Sequence, residues 1–132
     1  MIQERLKQVP FFSSISKKDL ATIAQQTDEV DVPAGKVLAR QGDVGNEFFL
    51  IDSGTAEVTR DGQQLAELGA GDFFGEMALL DDTDRRNATV TAKTAMSLIV
   101  MTRASFRALD RSQPAIHETV AKAIAERHAK VS

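Results

Sequence analysis

The sequence predicts a mainly β domain, an antiparallel β-barrel or jelly roll with helices at its two ends. Between residues 27 and 102, short alternating or apolar segments are separated by turn residues at close and fairly even spacing, which is typical of this fold class. The segments before and after this region carry apolar residues at helical spacing instead. A chain of 132 residues has the length of one domain with one buried core, so residues 1–132 are expected to form a single domain.

The amino-terminal segment, residues 1–26, predicts two short helices. Residues 2–8 have apolar side chains on one side of a helix. Ser16, with Asp19 three residues later, is a variant of the capping box that begins many helices. A second helix is therefore expected over residues 17–26.

Strand-like segments follow, and the turn residues between them define their ends. The strongest turn signal is Asp61-Gly62, because both residue types tolerate the positive φ angles of a two-residue hairpin. The expected strands cover residues 27–32, 36–40, 47–52, 55–60, 63–68, 87–92 and 95–101.

The carboxyl-terminal segment, residues 103–130, predicts two further helices. Phe106 and Leu109 lie three residues apart on the first, and Pro114 is well placed to begin the second. On the second helix, one narrow apolar stripe consists of Ile116, Val120, Ala123 and Ile124. An apolar stripe on a helix normally packs against the rest of a domain.

The composition excludes several classes of function. A net charge of −3 with both signs interspersed provides no broad surface for nucleic acid. The absence of cysteine excludes disulfides and thiolate metal sites. No apolar run approaches the roughly 20 residues that span a bilayer, and the amino terminus lacks the apolar centre of a signal peptide. We therefore expect a cytoplasmic protein with neither a membrane nor a nucleic-acid partner.

The residues also provide no set of groups for catalysis or metal binding. His117 and His128 lie on the last predicted helix without metal-ligand partners at a suitable spacing. Asp81, Asp82 and Asp84 lack the glycine and the glutamate of a calcium loop. The predicted strands contain no histidine, which excludes metalloenzymes of the cupin kind, and no Ser/His/Asp or Cys/His nucleophile set can be assembled. We expect no enzyme activity, no cofactor and no metal site.

Residues 72–90 carry the most specific chemistry in the chain. Gly75 precedes one short helical turn, whose first N–H groups have no acceptor inside the turn. Either Arg85 or Arg86 can add a guanidinium that binds two oxygens at once, so the segment is suited to hold a phosphate. Glu76 would repel that phosphate unless it has another task, and accepting a hydrogen bond from a sugar hydroxyl would be such a task. Together these roles suit a cyclic phosphodiester fused to a ribose.

This segment resembles the phosphate-binding cassette of cyclic-nucleotide-binding domains, a family that includes protein kinase A regulatory subunits, catabolite activator protein and cyclic-nucleotide-gated channels. The family pattern is Phe-Gly-Glu-(Leu/Ile/Met)-Ala-Leu, a variable loop, and Arg-(Ser/Thr/Ala)-Ala-(Thr/Ser)-Val. Here those two blocks are residues 74–79 and 86–90. The resemblance extends to residues 42–43, 47–51, 53–54 and 103–106.

Two departures from the family pattern concern the ligand. Asp84 and Arg85 occupy the place where many members have a proline before the arginine, and Asn87 replaces the usual small residue. The resemblance favours Arg86 over Arg85 as the phosphate ligand, because Arg86 directly precedes the small-residue strand. At the position of Asn87 a Thr or Ser assists guanine in some members, so cAMP is expected first and cGMP is the alternative.

The resemblance implies a jelly-roll barrel with an N-terminal helical segment, a short cassette helix and two C-terminal helices. It also implies a regulatory module that binds a cyclic nucleotide without catalysis. Glu76 and the Gly75 N–H would bind the ribose 2′-hydroxyl, and Arg86 with the Ala78 and Asn87 N–H groups would hold the phosphate. The expected ligand-binding residues are Gly75, Glu76, Met77, Ala78, Arg86 and Asn87.

The last helix has three interpretations at this point. Its apolar stripe is most simply explained by packing on the barrel, whereas the resemblance makes Ile116, Val120 and Ile124 either a lid over the base or a dimer seam. The expected partners are thus the nucleotide and, through the C-terminal helix, an effector protein or a second copy of the chain. The alternative function is a degenerate barrel that binds no nucleotide and serves as a protein-interaction or dimerisation domain.

Overall fold

The computed structural model describes residues 2–131, with side chains described for residues 2–126, so the side chain of His128 lies outside the described part. The helices are α1 (Ile2–Lys7), α2 (Lys17–Ala24), α3 (Arg103–Ser112) and α4 (Pro114–Val131), with 3-10 helices at Pro10–Phe12 and Glu76–Leu79. The strands are β1 (Asp28–Val32), β2 (Val37–Ala39), β3 (Glu47–Ser53), β4 (Ala56–Arg60), β5 (Gln63–Leu68), β6 (Phe73–Phe74), β7 (Thr89–Ala92) and β8 (Met96–Thr102).

The strands form two four-stranded antiparallel sheets, in the orders β1-β8-β3-β6 and β2-β7-β4-β5. Only β4 and β5 are neighbours both in the sequence and in a sheet. Their turn, with φ 54° at Asp61 and 81° at Gly62, is the expected hairpin with two positive φ angles. The mainly β class with an antiparallel jelly roll and flanking helices is confirmed, as two sheets packed face to face.

Alternating side chains of β3 and β8 enter two different apolar clusters, because successive side chains of a strand point to opposite faces. On β8, Leu98 and Val100 belong to the core between the sheets, whereas Ile99 and Met101 belong to a second cluster on the outer face. The sheet β1-β8-β3-β6 is therefore buried on both faces along its two central strands.

The second cluster joins the helices at both ends of the chain to this sheet. Phe12 and Leu20 of the amino-terminal segment are buried there together with Phe106 of α3 and Val120 of α4. Leu79, at the end of the cassette 3-10 helix, also belongs to this cluster. The N-terminal helices therefore pack on the outer face of this sheet, and the cassette is attached to the same helical layer.

Helix and strand ends differ from the predicted ones where tertiary contacts decide them. Ser16 accepts a hydrogen bond from the Asp19 N–H at 3.2 Å and begins α2 as predicted, but α2 ends at Ala24 rather than at residue 26. The predicted strand over residues 87–92 begins only at Thr89. Just before this strand, the backbone of Arg86 is bonded to the bend at residues 42–43. The Arg86 N–H donates to the Asp43 carbonyl oxygen at 2.8 Å.

Candidate functional site

A cavity of about 630 Å³ lies between the cassette and the sheet β2-β7-β4-β5. One end is formed by cassette residues, several of them polar or charged, and the other by apolar strand residues. Its size is that of a typical small-molecule site. It is lined by Ala39, Val58, Leu65, Ala66, Leu68, Phe73, Phe74, Gly75, Glu76, Met77, Asp84, Arg85, Arg86, Asn87, Ala88 and Val90.

Gly75 begins the cassette turn with φ 84°, in the left-handed region where a side chain is strained. A Cβ atom at this position would also lie 2.6 Å from the Glu47 carbonyl oxygen. The turn itself runs from Glu76 to Leu79 as a 3-10 helix, and it is closed by the Ala78 N–H, which donates to the Gly75 carbonyl oxygen at 3.1 Å. Glycine is therefore required here by the backbone and by its neighbours.

Ala78 differs from the other expected ligand-binding residues, because it does not line the cavity. Its side chain is fully buried, and it is absent from the cavity lining. In this structure its N–H, which was expected to meet the phosphate, is engaged inside the turn. Gly75, Glu76, Met77, Arg86 and Asn87 do line the cavity, so the structure brings these five candidates together around one space.

The guanidinium of Arg86 is held between two glycines. A Cβ atom at Gly45 would lie 2.7 Å from the Arg86 Cζ, and one at Gly75 would lie 2.6 Å from Nη1. Nη2 donates to the Glu47 carbonyl oxygen at 2.8 Å. Because both glycines lack a side chain, the half-buried guanidinium reaches the cavity in a defined position.

The charge of Arg86 is balanced by nearby carboxylates. Burial lowers the pKa of Arg86 below its ordinary value, whereas the carboxylates of Glu47, Asp84 and Glu76 act in the opposite direction. The guanidinium stays protonated at neutral pH, since arginine does not lose its proton in proteins under ordinary conditions. The half-buried Glu76 is thus close enough to interact electrostatically with Arg86, the residue expected to bind the phosphate.

Arg85 has different surroundings, although it is the next residue in the chain. Its side chain is exposed, and Nη1 donates to the Gly42 carbonyl oxygen at 2.8 Å. Its backbone forms an isolated bridge with Val44. Arg85 therefore contributes to the rim of the cavity. Arg86, in contrast, has its guanidinium half-buried between Gly45 and Gly75.

The apolar end of the cavity consists of strand residues rather than of the last helix. Val58, Leu65, Leu68 and Val90 line it, and Leu65 has 51% of its surface exposed, which is unusual for a leucine in this chain. A flat, apolar ring would cover that exposed surface. Asn87 is exposed, and its carbonyl oxygen accepts a bond from the Arg60 Nε at 2.9 Å.

The expected lid is not found in this structure. Ile116, Val120 and Ile124 are 7%, 1% and 0% exposed in the cluster between the helices and the outer face of the sheet, and none of them lines the cavity. The interpretation of the stripe as packing is therefore correct here. The stripe packs on an internal partner, the apolar side chains of the amino-terminal helices, which the sequence pattern of α4 does not reveal, so this structure provides no support for the lid.

Four contacts of the site were not anticipated from the sequence. Gly45 and the Glu47 carbonyl oxygen contact Arg86, and Arg103 donates to carbonyl oxygens of Gly45 and Ala78. Arg103 was singled out only as part of the family resemblance. A backbone carbonyl has no sequence signature, so no local signal could have found the partners of these arginines.

The described residues contain no group of three or more His, Cys, Asp or Glu side chains that could hold a metal ion. His117 lies 3.7 Å from Asp110 and stacks on Phe106, with ring centroids 4.4 Å apart. Within the part of the chain that the structure describes, no helix has the length and apolarity needed to cross a membrane.

The family follows from comparison with known proteins. Residues 29–113 match the sequence model described as "Cyclic nucleotide-binding domain". The chain belongs to this family. It is 41% identical over 110 residues to the cAMP-dependent protein kinase regulatory subunit of Schizosaccharomyces pombe, an alignment that covers 83% of this chain and 26% of that protein.

Two further proteins are similar over most of the chain. A cyclic nucleotide-gated potassium channel of Rhizobium etli is 41% identical over 119 residues, which cover 90% of this chain and 33% of the channel. The regulatory domain of Toxoplasma gondii PKA, solved with cAMP, has a TM-score of 0.72 and 34% identity, covering 81% of this chain and 42% of that one. The chain thus spans about a quarter of the length of the Schizosaccharomyces pombe regulatory subunit and about a third of the length of the Rhizobium etli channel.

Proposed function

We propose that this chain is a regulatory module that binds a cyclic nucleotide, with cAMP as the first ligand and cGMP as the alternative, and does not transform it. The observation that carries the proposal is the half-buried guanidinium of Arg86, held between Gly45 and Gly75 where polar cassette residues and apolar strand residues line the same cavity. A half-buried cation beside apolar walls matches a singly charged cyclic phosphate joined to a base.

The phosphate interacts with Arg86 in this proposal. A guanidinium has five donors in a rigid fork, and the Glu47 carbonyl oxygen takes a bond from one nitrogen, Nη2. The remaining donors can bind two phosphate oxygens side by side. Gly75 lies next to Nη1, so its backbone approaches the ligand at a place where a side chain would obstruct it. The Asn87 N–H is proposed as a further phosphate contact and the Gly75 N–H as a contact of the ribose 2′-hydroxyl, whereas the Ala78 N–H joins the phosphate contacts only if the turn rearranges.

Glu76 is proposed to accept a hydrogen bond from the ribose 2′-hydroxyl. Its carboxylate acts on the pKa of Arg86, so it lies near the phosphate site, and it lines the same cavity. A donor on the ligand would offset the repulsion between this carboxylate and the phosphate. A hydroxyl on the sugar that carries the cyclic phosphate provides this donor. The proposed role of Met77 is an apolar contact, since it also lines the cavity.

The base is proposed to lie against Val58, Leu65, Leu68 and Val90. These aliphatic surfaces favour any purine and do not distinguish adenine from guanine. The exposed amide of Asn87 can both donate and accept a hydrogen bond, so cGMP stays the alternative. The names of the relatives favour cAMP, since the regulatory subunit of the yeast kinase is called cAMP-dependent and the Toxoplasma domain was crystallised with cAMP.

A degenerate barrel without a ligand is the less favoured alternative, because the glutamate and the arginine of the family pattern are both present and face one cavity. The proposed partners beyond the nucleotide are an effector protein, or an effector domain if the chain is part of a longer polypeptide, in the cytoplasm. A homodimer through α4 would have to use surfaces other than Ile116, Val120 and Ile124, which are already buried.

Calorimetric titration of the purified chain with cAMP, cGMP and 5′-AMP tests the proposal. We expect measurable binding of cAMP, weaker binding of cGMP, and little or none of 5′-AMP, whose open phosphate carries a second charge toward Glu76 and Asp84. Absence of binding by both cyclic nucleotides would support the degenerate barrel, and a tighter constant for cGMP would reverse the order of ligands. The cAMP recovered after a long incubation should be intact, and its turnover would contradict the non-enzymatic assignment.

A further inference from the structure

Arg103 connects two segments that are distant in the sequence. It is the first residue of α3 and is half-buried. Its Nη1 donates to the Gly45 carbonyl oxygen at 2.9 Å and to the Ala78 carbonyl oxygen at 3.2 Å. Its own N–H donates to the Asn46 carbonyl oxygen at 2.9 Å. One side chain thus connects the start of α3, the bend before β3 and the cassette turn.

The two carbonyls belong to the segments that contact the guanidinium of Arg86. Gly45 packs so closely on Arg86 that a Cβ atom there would lie 2.7 Å from its Cζ and Nε. Ala78 closes the turn that begins at Gly75, which packs on Nη1 of the same guanidinium. Arg103 does not line the cavity itself, so any effect on a ligand must pass through these two backbone segments.

Two features of this contact suit an arginine. The end of a helical turn presents carbonyl oxygens that favour a cation, and the Arg103 Nη1 reaches the Ala78 carbonyl oxygen there as well as the Gly45 carbonyl oxygen of the bend. Asp81 lies just beyond the same turn, and the Arg103 charge adds to the lowering of the Asp81 pKa, whose larger causes are the bonds from Thr83. A lysine would bring the charge on a flexible stem, without the planar group that fixes the direction of the Nη1 donors.

From these contacts we infer that Arg103 is a positioning residue for the cyclic phosphate: it fixes Gly45 and Ala78 so that the Arg86 guanidinium is held ready for the ligand. This inference rests on the proposed function, because it concerns the same site. A consequence is that α3 and the ligand are coupled, since the same side chain begins α3 and orders the cassette.

The first test is the affinity of the full chain for cAMP after Arg103→Gln, with Arg107→Gln as the matched control. Arg107 is one turn further along α3, is exposed, and contacts the cassette loop only through Asp82 at 3.4 Å. We expect Arg103→Gln to lower the affinity for cAMP about ten-fold or more, and Arg107→Gln to change that affinity less than about two-fold. The reason is that hydrogen bonds from a charged donor to buried carbonyl oxygens are stronger than exposed ion pairs. Arg103→Lys, the gentler change, should fold as the wild type and lose affinity to an intermediate degree. Equal affinities of all three variants would overturn the inference.

A double-mutant cycle distinguishes positioning from a general loss of structure. If Arg103 acts through Arg86, the effect of Arg103→Gln should fall below about three-fold in an Arg86→Lys background, because the guanidinium that it positions is gone. The same ten-fold loss in both backgrounds would show that Arg103 acts elsewhere and would overturn the inference.

A measurement without ligand keeps this inference separate from the proposed function. The N–H groups of Ala78 and Leu80 are bonded inside the cassette turn, to the carbonyl oxygens of Gly75 and Met77. Their hydrogen exchange should be at least about five-fold faster in Arg103→Gln than in Arg107→Gln, since exchange reports local opening. Equal exchange in the two variants would overturn the positioning role even if cAMP binds. If the wild type bound no cyclic nucleotide, the proposed function would fail, and faster exchange would still support the ordering of the turn by Arg103.

Discussion

At the scale of single residues, Arg85 and Arg86 differ in their surroundings. One guanidinium is exposed at the rim and the other is half-buried between two glycines. We expect Arg86→Ala to remove most of the affinity for cAMP, a loss of about 2–5 kcal/mol, because a bidentate charged contact is lost in a partly desolvated site. Arg85→Ala should cost less than about 1 kcal/mol, the usual value of an exposed charge.

Titration calorimetry of the two variants, with circular dichroism to verify their fold, measures this difference. The assignment would be off by one residue if Arg85→Ala lost binding and Arg86→Ala kept it.

Gly45 provides a second residue-scale prediction, because a new Cβ atom there would collide with the end of a flexible side chain and not with backbone. Its nearest neighbours would be Cζ, Nε and Nη1 of Arg86. Gly45→Ala should therefore displace the guanidinium and weaken cAMP about ten-fold, while the free energy of unfolding changes by less than about 1 kcal/mol.

Gly69→Ala is the matched control, since a Cβ atom at Gly69 would meet nothing within 4 Å and, as at Gly45, its φ lies outside the left-handed region. Comparison of calorimetric affinities and urea midpoints separates the two effects. Wild-type affinity in Gly45→Ala would mean that the observed position of Arg86 is not the one that binds the ligand.

Glu76 has two explanations that one ligand pair can distinguish. If it accepts a bond from the ribose 2′-hydroxyl, Glu76→Ala should weaken cAMP by roughly 1.5–3 kcal/mol, the strength of a charge-assisted bond, but should hardly change 2′-deoxy-cAMP. If it acts on Arg86 instead, through the interaction seen in the pKa of Arg86, both ligands should lose equally. Dissociation constants of the two ligands for wild type and variant form the complete test.

At the scale of elements, α4 is a structural member of the helical layer. Ile124 is fully buried there, in the cluster that contains Leu6 and Phe12. Ile124→Ala should lower the free energy of unfolding by about 2–5 kcal/mol through lost burial and an unfilled cavity, and it should leave the affinity for cAMP unchanged at temperatures where the variant is folded. The exposed Lys122, changed to Ala, is the control on the same helix.

Urea denaturation and the off-rate of a fluorescent cAMP analogue measure the two quantities. A faster off-rate with unchanged stability would restore the lid interpretation that this structure does not support.

At the scale of the whole molecule, the cassette takes part both in the cavity and in the helical layer. The cassette contributes to the cavity on one side, and through Leu79 it belongs to the helical cluster on the other. A ligand that binds only the folded chain therefore stabilises all of it. At a cAMP concentration of 100 times the dissociation constant, the stabilisation is about 2.7 kcal/mol, which for a chain of this length raises Tm by roughly 10 °C.

In thermal denaturation over a series of cAMP concentrations, the Tm of the wild type should rise in this way. The rise should be absent in Arg86→Ala. A concentration-dependent shift that persisted in Arg86→Ala would indicate a binding site other than the cavity.

Local patterns in the chain were sufficient for the fold class, the hairpin at Asp61-Gly62, the cap at Ser16 and the cassette as a candidate site. Each of these depends on residues that are near one another in sequence, where periodicity, turn preference and capping act directly. The fold class follows from the same source, because the spacing of short strands and turns is itself a sequence pattern.

The folded structure was needed for everything that depends on contacts between distant segments. The packing of Gly45 on Arg86, the bonds from Arg103 to two carbonyl oxygens and the burial of the α4 stripe among N-terminal side chains bring together residues far apart in the chain. Such contacts leave no local signal, because a glycine, a carbonyl oxygen or an apolar stripe has the same sequence appearance whatever it packs against. This is why residue types alone indicated a phosphate site and the resemblance favoured Arg86, while only the folded structure shows one guanidinium between two glycines.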